Sequence, residues 1–380
     1  MRRSRNTSVK SGKKKKKKNH KNKKGLKVFT IAVTLLISTY ISTVFFDIPI
    51  ISDLRNIYIE TAMTTGDHQW LATLIFPQRL IDRIMNNIVI GVDVVGGVEH
   101  NNKNEDKENS KYDNKSDSNK DMDTENDFED ILEQRHLKIG GKDYAGNEIL
   151  VNDIEQRIII SEVKGATFKG KIALIDDPSR VFVGFSKYDS RGLTVIEMLE
   201  EHNAILGVNA NGFSDYEGVG MGDEILGFSM SNGESKGELN NYYCTIAFDK
   251  NNNLIVGNVM DWDKYHIRDG GQFNPVLIAN GNKYVENSAG WGMQPRTAIG
   301  QRADGVVMFL VIDGRQPTHS IGATVADCAD ILEEYGAINA ACCDGGSSSI
   351  MGYDDEVATK CSSPMDEGRY LPNAFLVKKK

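Results

Sequence analysis

LEEYGAINAACCDGGSSSIMG, residues 332–352, decides how the chain is read. A helix end gives way to a glycine turn, a short apolar run, and then one acid followed by two glycines and three serines. A second stretch, LEEHNAILGVNANG at residues 199–212, aligns with it without a gap and sets Asn211 on Asp344 and Gly212 on Gly345. Each unit predicts a helix, a sharp turn, a strand and a polar loop opened by Asn or Asp plus Gly. If the two strands run parallel in one sheet, both loops emerge at the same edge, where α/β sheets place their ligands. Chance likeness between two helix–strand units competes with a true repeat, because few turn chemistries exist. Two facing polar loops are expected either way.

Working outward, TVIEMLEEHN and TVADCADILEEYG each open with a Thr followed three residues later by an acid, Thr194 with Glu197 and Thr324 with Asp327. That spacing forms a capping box, which satisfies free amide donors at a helix start. In TAIGQRADGVVMFLVIDG an Asp304-Gly305 turn separates two strands, and the second delivers Asp313, Gly314 and Arg315 at its end. TIAFDKNNNLIVGNV predicts a hairpin about an Asn-rich loop, and IALIDDPSRVFVGFS two strands about a Pro-containing turn. Strands interrupted by hairpins and joined by helices predict an α+β (mixed α/β) fold, a mixed β-sheet with packed helices and hairpin insertions.

The N-terminal third has a different character. The net charge of −8 hides an asymmetry, since residues 1–27 carry fourteen Lys or Arg and no acid, leaving −22 (−8 minus 14) for the rest. An acidic globular part repels phosphate backbones, so nucleic acid is not an expected partner of the folded domain. The basic tail runs into VFTIAVTLLISTYISTVFF, nineteen uncharged residues from Val28 to Phe46. That is enough to span a bilayer, and the lysines before it orient the tail to the cytoplasm. A cleaved signal peptide is the competing reading, set against it by the long basic region, the length of the apolar run and the want of an A-x-A site. The expected organisation is a basic cytoplasmic tail (1–27), a transmembrane signal-anchor (28–46), a juxtamembrane helical segment (47–96), an acidic disordered linker (97–135) and the functional domain (136–380). In the juxtamembrane segment Leu80, Ile81, Ile84 and Met85 recur at helical spacing, and the lone His68 near Trp70 is expected to be structural or exposed, not catalytic. NNKNEDKENSKYDNKSDSNKDMDTENDFED, residues 101–130, has almost nothing to bury.

Five cysteines, Cys244, Cys328, Cys342, Cys343 and Cys361, fall in the part placed outside the cell, where disulfides are permitted. Cys342 and Cys343, neighbours on one strand, face opposite sides. Cys328 and one of that pair are expected as core residues, and a bridge from Cys361 to Cys342 or Cys343 stays open.

Four polar clusters begin loops: NANGFSDYEGVG (209–220), PRTAIG (295–300), DGRQPTHSIGAT (313–324) and DGGSSSIMG (344–352). Glycines let backbone amides approach a ligand, and a Gly/Ser loop can nest an anion such as phosphate. Arg296 and Arg315 would contact the same anion, while Asp313, Asp344, Asp215 and Glu217 are candidate carboxylates. Each has a plainer reading: Asp-Gly after a strand is most often only a turn, and His319 is as readily a satisfied loop histidine as a catalyst. The P-loop pattern and G-x-S-x-G are both absent. No cofactor or metal is expected, although the acids Asp215, Glu217 and Asp223 leave a divalent cation open.

Taken together, ILGVNANGF, PRTAIG, VIDGRQ, the helix beginning IGATVADCADIL, and DGGSSSIM resemble the phosphodiester glycosidase family, in its motif order from about Asn203 to Leu376. The resemblance implies hydrolysis of a sugar-1-phosphodiester at the glycosidic side, leaving free sugar and a phosphomonoester. It places Asn209 and Asn211 in the Asn/Gly-Phe loop, Arg296 at the Arg-Thr-Ala strand start, Asp313 and Arg315 in Asp-Gly-Arg, and Asp344, Gly345 and Gly346 in Asp-Gly-Gly. The chain departs where relatives read closer to Asn-Gly-Gly-Phe-Phe, and it carries Ser347 where they have Gly. The expectation is that Asp344 and Asp313 are catalytic, that Arg296, Arg315, Gly345, Gly346, Ser347 and Ser348 hold phosphate, and that Asn209 and Asn211 touch the sugar. Location outside a membrane points to surface or wall polymers and exopolysaccharide. A non-catalytic glycan receptor and an exopolysaccharide-modifying transferase are the alternatives.

Overall fold

The computed structural model describes residues 12–65, 68–90, 94–97, 137–215 and 220–380. Residues 1–11 of the basic tail, the acidic stretch within 98–136, and Glu217 lie outside the described residues.

Thr194 and Thr324 each cap a helix, Val195–Glu201 and Val325–Glu334, and both capping boxes are reciprocal. The chain then turns at Asn203 (φ 47°) and Gly336 (φ 85°), left-handed positions that end a helix abruptly. The strands Ala204–Asn209 and Ala337–Cys342 follow, aligned residue for residue as the sequence comparison requires. They do not share a sheet. Ala204–Asn209 lies in a five-stranded sheet between Met351–Tyr353 and Asn373–Lys378, and Ala337–Cys342 in an eight-stranded one between Val276–Ala279 and Arg296–Arg302. Pairing between the described strands is antiparallel throughout both sheets. The parallel arrangement in one sheet is therefore corrected to one helix–strand unit per sheet.

Burial on both strand faces explains this. Along Val307–Ile312, Val307, Phe309 and Val311 enter the core shared with the five-stranded sheet, which contributes Leu206, Val208 and Phe375. The alternate residues Met308, Leu310 and Ile312 pack under Val325, Cys328, Ala329 and Leu332 of the second helix. The first helix covers the outer face of the five-stranded sheet through Val195, Met198 and Leu199. The result is an α+β stack, helix on sheet on sheet on helix, in which a strand polar on one face would expose the other layer to a buried, unpaired group. A six-stranded sheet, with the expected Cys244–Asp249 and Leu254–Gly257 hairpin, closes one side of the shared core through Ile246, Phe248, Leu254 and Val256.

Cys328, Cys342, Cys343 and Cys361 are free thiols. Cys343 belongs to the inter-sheet core and Cys342 to the helix-side core, the opposite faces expected of neighbours. The bridge left open for Cys361 does not form; its sulfur instead reaches the Ser347 carbonyl at 3.4 Å.

Helix α1 (Gly12–Phe45) contains a stretch, Gly25–Phe45, long and apolar enough to cross a membrane. Helices α2 (Pro49–Met63), α3 (Trp70–Ile75) and α4 (Gln78–Met85) follow it. They pack on Ile59, Ala62, Ala72, Leu80, Ile81 and Ile84, with Val44 of α1 in the same cluster and Met85 at its margin. This unit is joined to the sheets. Val95–Gly96 adds an edge strand against Leu254–Gly257, Thr61 Oγ1 accepts from Met293 N at 2.9 Å, and Trp291 Nε1 donates to Val89 O at 2.8 Å.

Candidate active site

The two aligned loops meet across the gap between the sheets. Asp344 N donates to Ala210 O at 2.9 Å, and Asn209 Nδ2 donates to Asp344 O at 2.6 Å. Asp344 thus sits where both sheets end, on a cleft of about 840 Å³. That volume suits one or two sugar units with a phosphate, since small-molecule sites span roughly 300–1,000 Å³. Tyr242, Tyr243 and Phe273 supply an aromatic wall; Gln294, Arg296, Arg315 and Arg369 line the cleft as well.

Burial pushes the Asp344 carboxyl up to about 6, against the opposing pull of Ser348, the Gly345 amide and Arg369. Gly345 N donates to Asp344 Oδ1 at 2.9 Å. A carboxyl in this range is ionised at neutral pH yet holds a proton far better than an ordinary aspartate, as a general base requires.

Arg296 is buried, with Nε donating to Ala323 O at 3.2 Å and Nη2 to Trp291 O and Gly292 O at 2.7 and 2.8 Å. These carbonyls fix the guanidinium plane, and its Nη1 lies on the Gly345 side, 3.9 Å from where a Cβ would stand. Arg315 takes a left-handed backbone (φ 58°) and donates from Nη2 to Gln294 Oε1 at 2.6 Å. Its guanidinium leans over Gly346, whose absent Cβ would fall 2.9 Å from Nη2. Gly346 is thus glycine for two reasons, its own positive φ of 63° and the arginine above it. Ser347 Oγ accepts from Arg369 at 3.3 Å, and Ser348 is buried beside the Asp344 carboxylate. The structure therefore brings Asp344, Gly345, Gly346, Ser347, Ser348, Arg296 and Arg315 to one cleft.

Three expected residues stand elsewhere. Asp313 does not line the cleft: Oδ2 pairs with His319 Nε2 at 2.7 Å and Oδ1 accepts from Lys360 N at 2.9 Å. Burial raises its carboxyl, partly offset by those two donors. Its carboxylate, expected to be catalytic, thus holds the His319 ring and the Lys360 amide beside the loop that carries Arg315. Asn209 and Asn211 are buried and spent on the protein. Asn209 Oδ1 accepts from Thr297 Oγ1 and Ile350 N, at 2.6 and 3.2 Å, tying the two sheets together. Asn211 Nδ2 donates to Leu226 O, Phe228 O and Gln272 O, while its Oδ1 accepts from Asn373 Nδ2. The side-chain amides expected at the sugar thus both bond inside the protein.

Sequence reasoning missed Arg369. It pairs with Asp215 at 2.6 Å, lies over the Phe213 ring at 4.7 Å, and sits in GRYLPN, which matches no catalytic pattern. Burial alone would raise the Asp215 carboxyl, but Arg369 and the Gly220 amide outweigh it and hold it below its ordinary value. Of the acids suggested for a cation, Asp215 is thus paired with Arg369, and Glu217 lies outside the described residues. Asp223 lines a different cavity, and among the described residues no three His, Cys, Asp or Glu gather as a metal site. Thr64, Thr65 and His68 of the juxtamembrane unit also line the cleft, which no periodicity could have indicated.

The protein-family comparison matches residues 202–378 to phosphodiester glycosidase. A SPbeta prophage-derived uncharacterized protein, YomE, of Bacillus subtilis (strain 168) is 26% identical over 187 residues, 46% of this chain and 27% of that protein, so the chain spans about a quarter of that relative's length. Among solved structures, the zebrafish N-acetylglucosamine-1-phosphodiester alpha-N-acetylglucosaminidase catalytic domain, auto-inhibited by its pro-peptide, is similar at 18% identity and a TM-score of 0.49, covering 64% of this chain and 87% of that one. A hypothetical protein from Synechocystis is similar at 12% identity and a TM-score of 0.42, covering 58% and 62%. Residues 202–378 thus match the phosphodiester glycosidase family, the family that the motifs of this chain resemble.

Proposed function

We propose that this protein is a membrane-anchored hydrolase that cleaves the glycosidic bond of sugar-1-phosphodiesters on the outer side of a membrane. The observation that carries the reading is one carboxyl, Asp344, raised to about 6 at the floor of a cleft flanked by three arginines. In this reaction the bond between the anomeric carbon and the phosphate oxygen breaks, and its electron pair leaves with the phosphomonoester. Water adds to the anomeric carbon and passes its proton to Asp344. Arg296, Arg315 and the amides of Gly345 and Gly346 hold the phosphate, with Ser347 and Ser348 as further donors. A phosphate already leaves well, so the absence of a second cleft carboxylate free of an ion pair among the described residues fits this chemistry. The aromatic wall supplies a stacking surface for the sugar ring.

The organisation proposed is a cytoplasmic tail (1–27), a spanning helix (28–46), a juxtamembrane unit (47–96), an acidic linker (97–135) and the hydrolase domain (136–380). Outside a membrane, the substrate class would be phosphate-linked surface polymers, including wall polymers or exopolysaccharide. The test is incubation of the full chain with the methyl phosphodiester of a sugar 1-phosphate. Release of free sugar and methyl phosphate by the native protein, lowered about 10³-fold in Asp344→Asn, is the expected result. Binding without release of sugar identifies a glycan receptor instead. Transfer of the sugar to an added acceptor in preference to water identifies a transferase.

A further inference from the structure

The juxtamembrane unit leaves an apolar face without a partner among the described residues. On α2 Ile50 and Leu54, one turn apart, are 76% and 65% exposed, and on α3 Trp70 and Leu74 are 57% and 77% exposed. The two pairs adjoin, because Tyr58, one turn beyond Leu54, places its hydroxyl 3.4 Å from Leu71 O and its ring 6.0 Å from Phe76. In water such a patch is a liability, since solvent-facing apolar surface gathered on one side marks an interaction site.

What covers it follows from its continuity with α1. Tyr40 of α1 donates from its hydroxyl to Ile75 O at 2.9 Å, and Arg55 of α2 donates to Thr43 O at 3.1 Å. The end of α3 therefore lies beside α1 at the level of Tyr40, six residues inside Phe46. At 1.5 Å per residue that is about 9 Å below the end of the apolar run. Interfacial helices seat at about 5–10 Å, at the boundary of headgroups and acyl chains, where Trp and Tyr are favoured. The charges nearby suit that depth: Asp47 is paired with Arg55 and Arg83 at the corner of the helices, and Asp53 flanks the apolar stripe at its rim.

We propose that the face built from Ile50, Leu54, Trp70 and Leu74 is seated in the outer leaflet of the bilayer and holds the cleft at the membrane surface. This rests on the reading of α1 as a membrane span. The opposite end of the same unit is fixed to the cleft: Gln294 donates to Thr64 Oγ1, Ser288 donates to Glu60, and Gly292 has no room for a Cβ against the Thr61 backbone. Helix α2 is about 22 Å long at 1.5 Å per residue, so the cleft stands within about 25 Å of the lipid. The substrate class this geometry favours is a sugar-1-phosphodiester presented at the membrane, not one free in solution.

The full chain, reconstituted in phosphatidylglycerol and phosphatidylcholine vesicles, tests this with lipid spin-labelled near the glycerol end of the acyl chain. Trp70 is one of three tryptophans, so its emission is the difference between the native protein and Trp70→Phe. At least a twofold loss of that difference emission with labelled lipid is expected. Unchanged emission in vesicles that retain the protein through an alkaline wash overturns the proposal and leaves the anchor standing. Release by the alkaline wash overturns the anchor reading, and the seating with it. As a second arm, Ile50→Ser/Leu54→Ser/Leu74→Ser should lower cleavage of a lipid-tethered sugar-1-phosphodiester about tenfold and leave the soluble diester unaffected. Equal rates on the tethered diester for native and variant protein overturn it.

Discussion

Asp344 concentrates the chemistry because its surroundings work against one another. Desolvation raises its carboxyl to about 6, while Arg369, Ser348 and the Gly345 amide pull it back. Activity that needs the carboxylate should hold above pH 6 and fall about tenfold per unit below it, so the acid limb of kcat/KM is expected near 6. Arg369→Ala removes a group that lowers that value, so the limb should move to higher pH; a limb that stays in place contradicts the coupling. Stability responds in the opposite sense. A carboxyl raised on folding favours the folded state below its unfolded value of about 3.9, and that advantage is lost as pH rises through 6. A second residue prediction concerns Gly346→Ala. Its Cβ would displace the Arg315 guanidinium and occupy a left-handed backbone, so KM should rise about tenfold, the worth of one charge-assisted hydrogen bond at about 1.5 kcal/mol, with about 1 kcal/mol lost in stability. Titration of KM and a thermal melt check both parts.

At the scale of elements, the two helix–strand units show why a repeat in sequence need not be a repeat in one sheet. Both capping boxes, both left-handed turns and both strand spans could be read from LEEHNAILGVNANG and LEEYGAINAACCDGG, because caps and turns are local chemistry. Sheet membership was hidden, since an apolar strand carries no mark of which neighbour it will pair with. The same blindness covers Asn209 and Asn211; in sequence an Asn beside a ligand loop looks like an Asn bracing one. Asn211→Ala would leave three carbonyls and the Asn373 amide short of a partner inside the core. It should cost about 2–3 kcal/mol in urea unfolding while KM of the folded fraction stays unchanged. A raised KM at native stability would restore the sugar contact.

For the whole molecule, the segments on either side of residues 98–136 are held by more than the chain that joins them. Val95–Gly96 completes a sheet edge, and Thr61, Thr64, Val89 and Glu60 bond to residues 288–294. If a protease site is inserted near Asn114 and cut, the two pieces are expected to elute together in gel filtration and to retain activity. Separation of the pieces would show that the cleft wall at Thr64 and Thr65 is not fixed by these contacts. By itself, the sequence determined what is local or compositional: the apolar run, the caps, the hairpin turns, the α+β class, and the loops that carry Asp344, Arg296 and Arg315. Only the tertiary structure decided which groups face the cleft. It turned Asp313 toward His319, buried both asparagines, and brought in Arg369 and Thr64 from distant parts of the chain. The physical reason is that exposure and desolvation belong to the packed layers, where residues hundreds of positions apart set one another's surroundings.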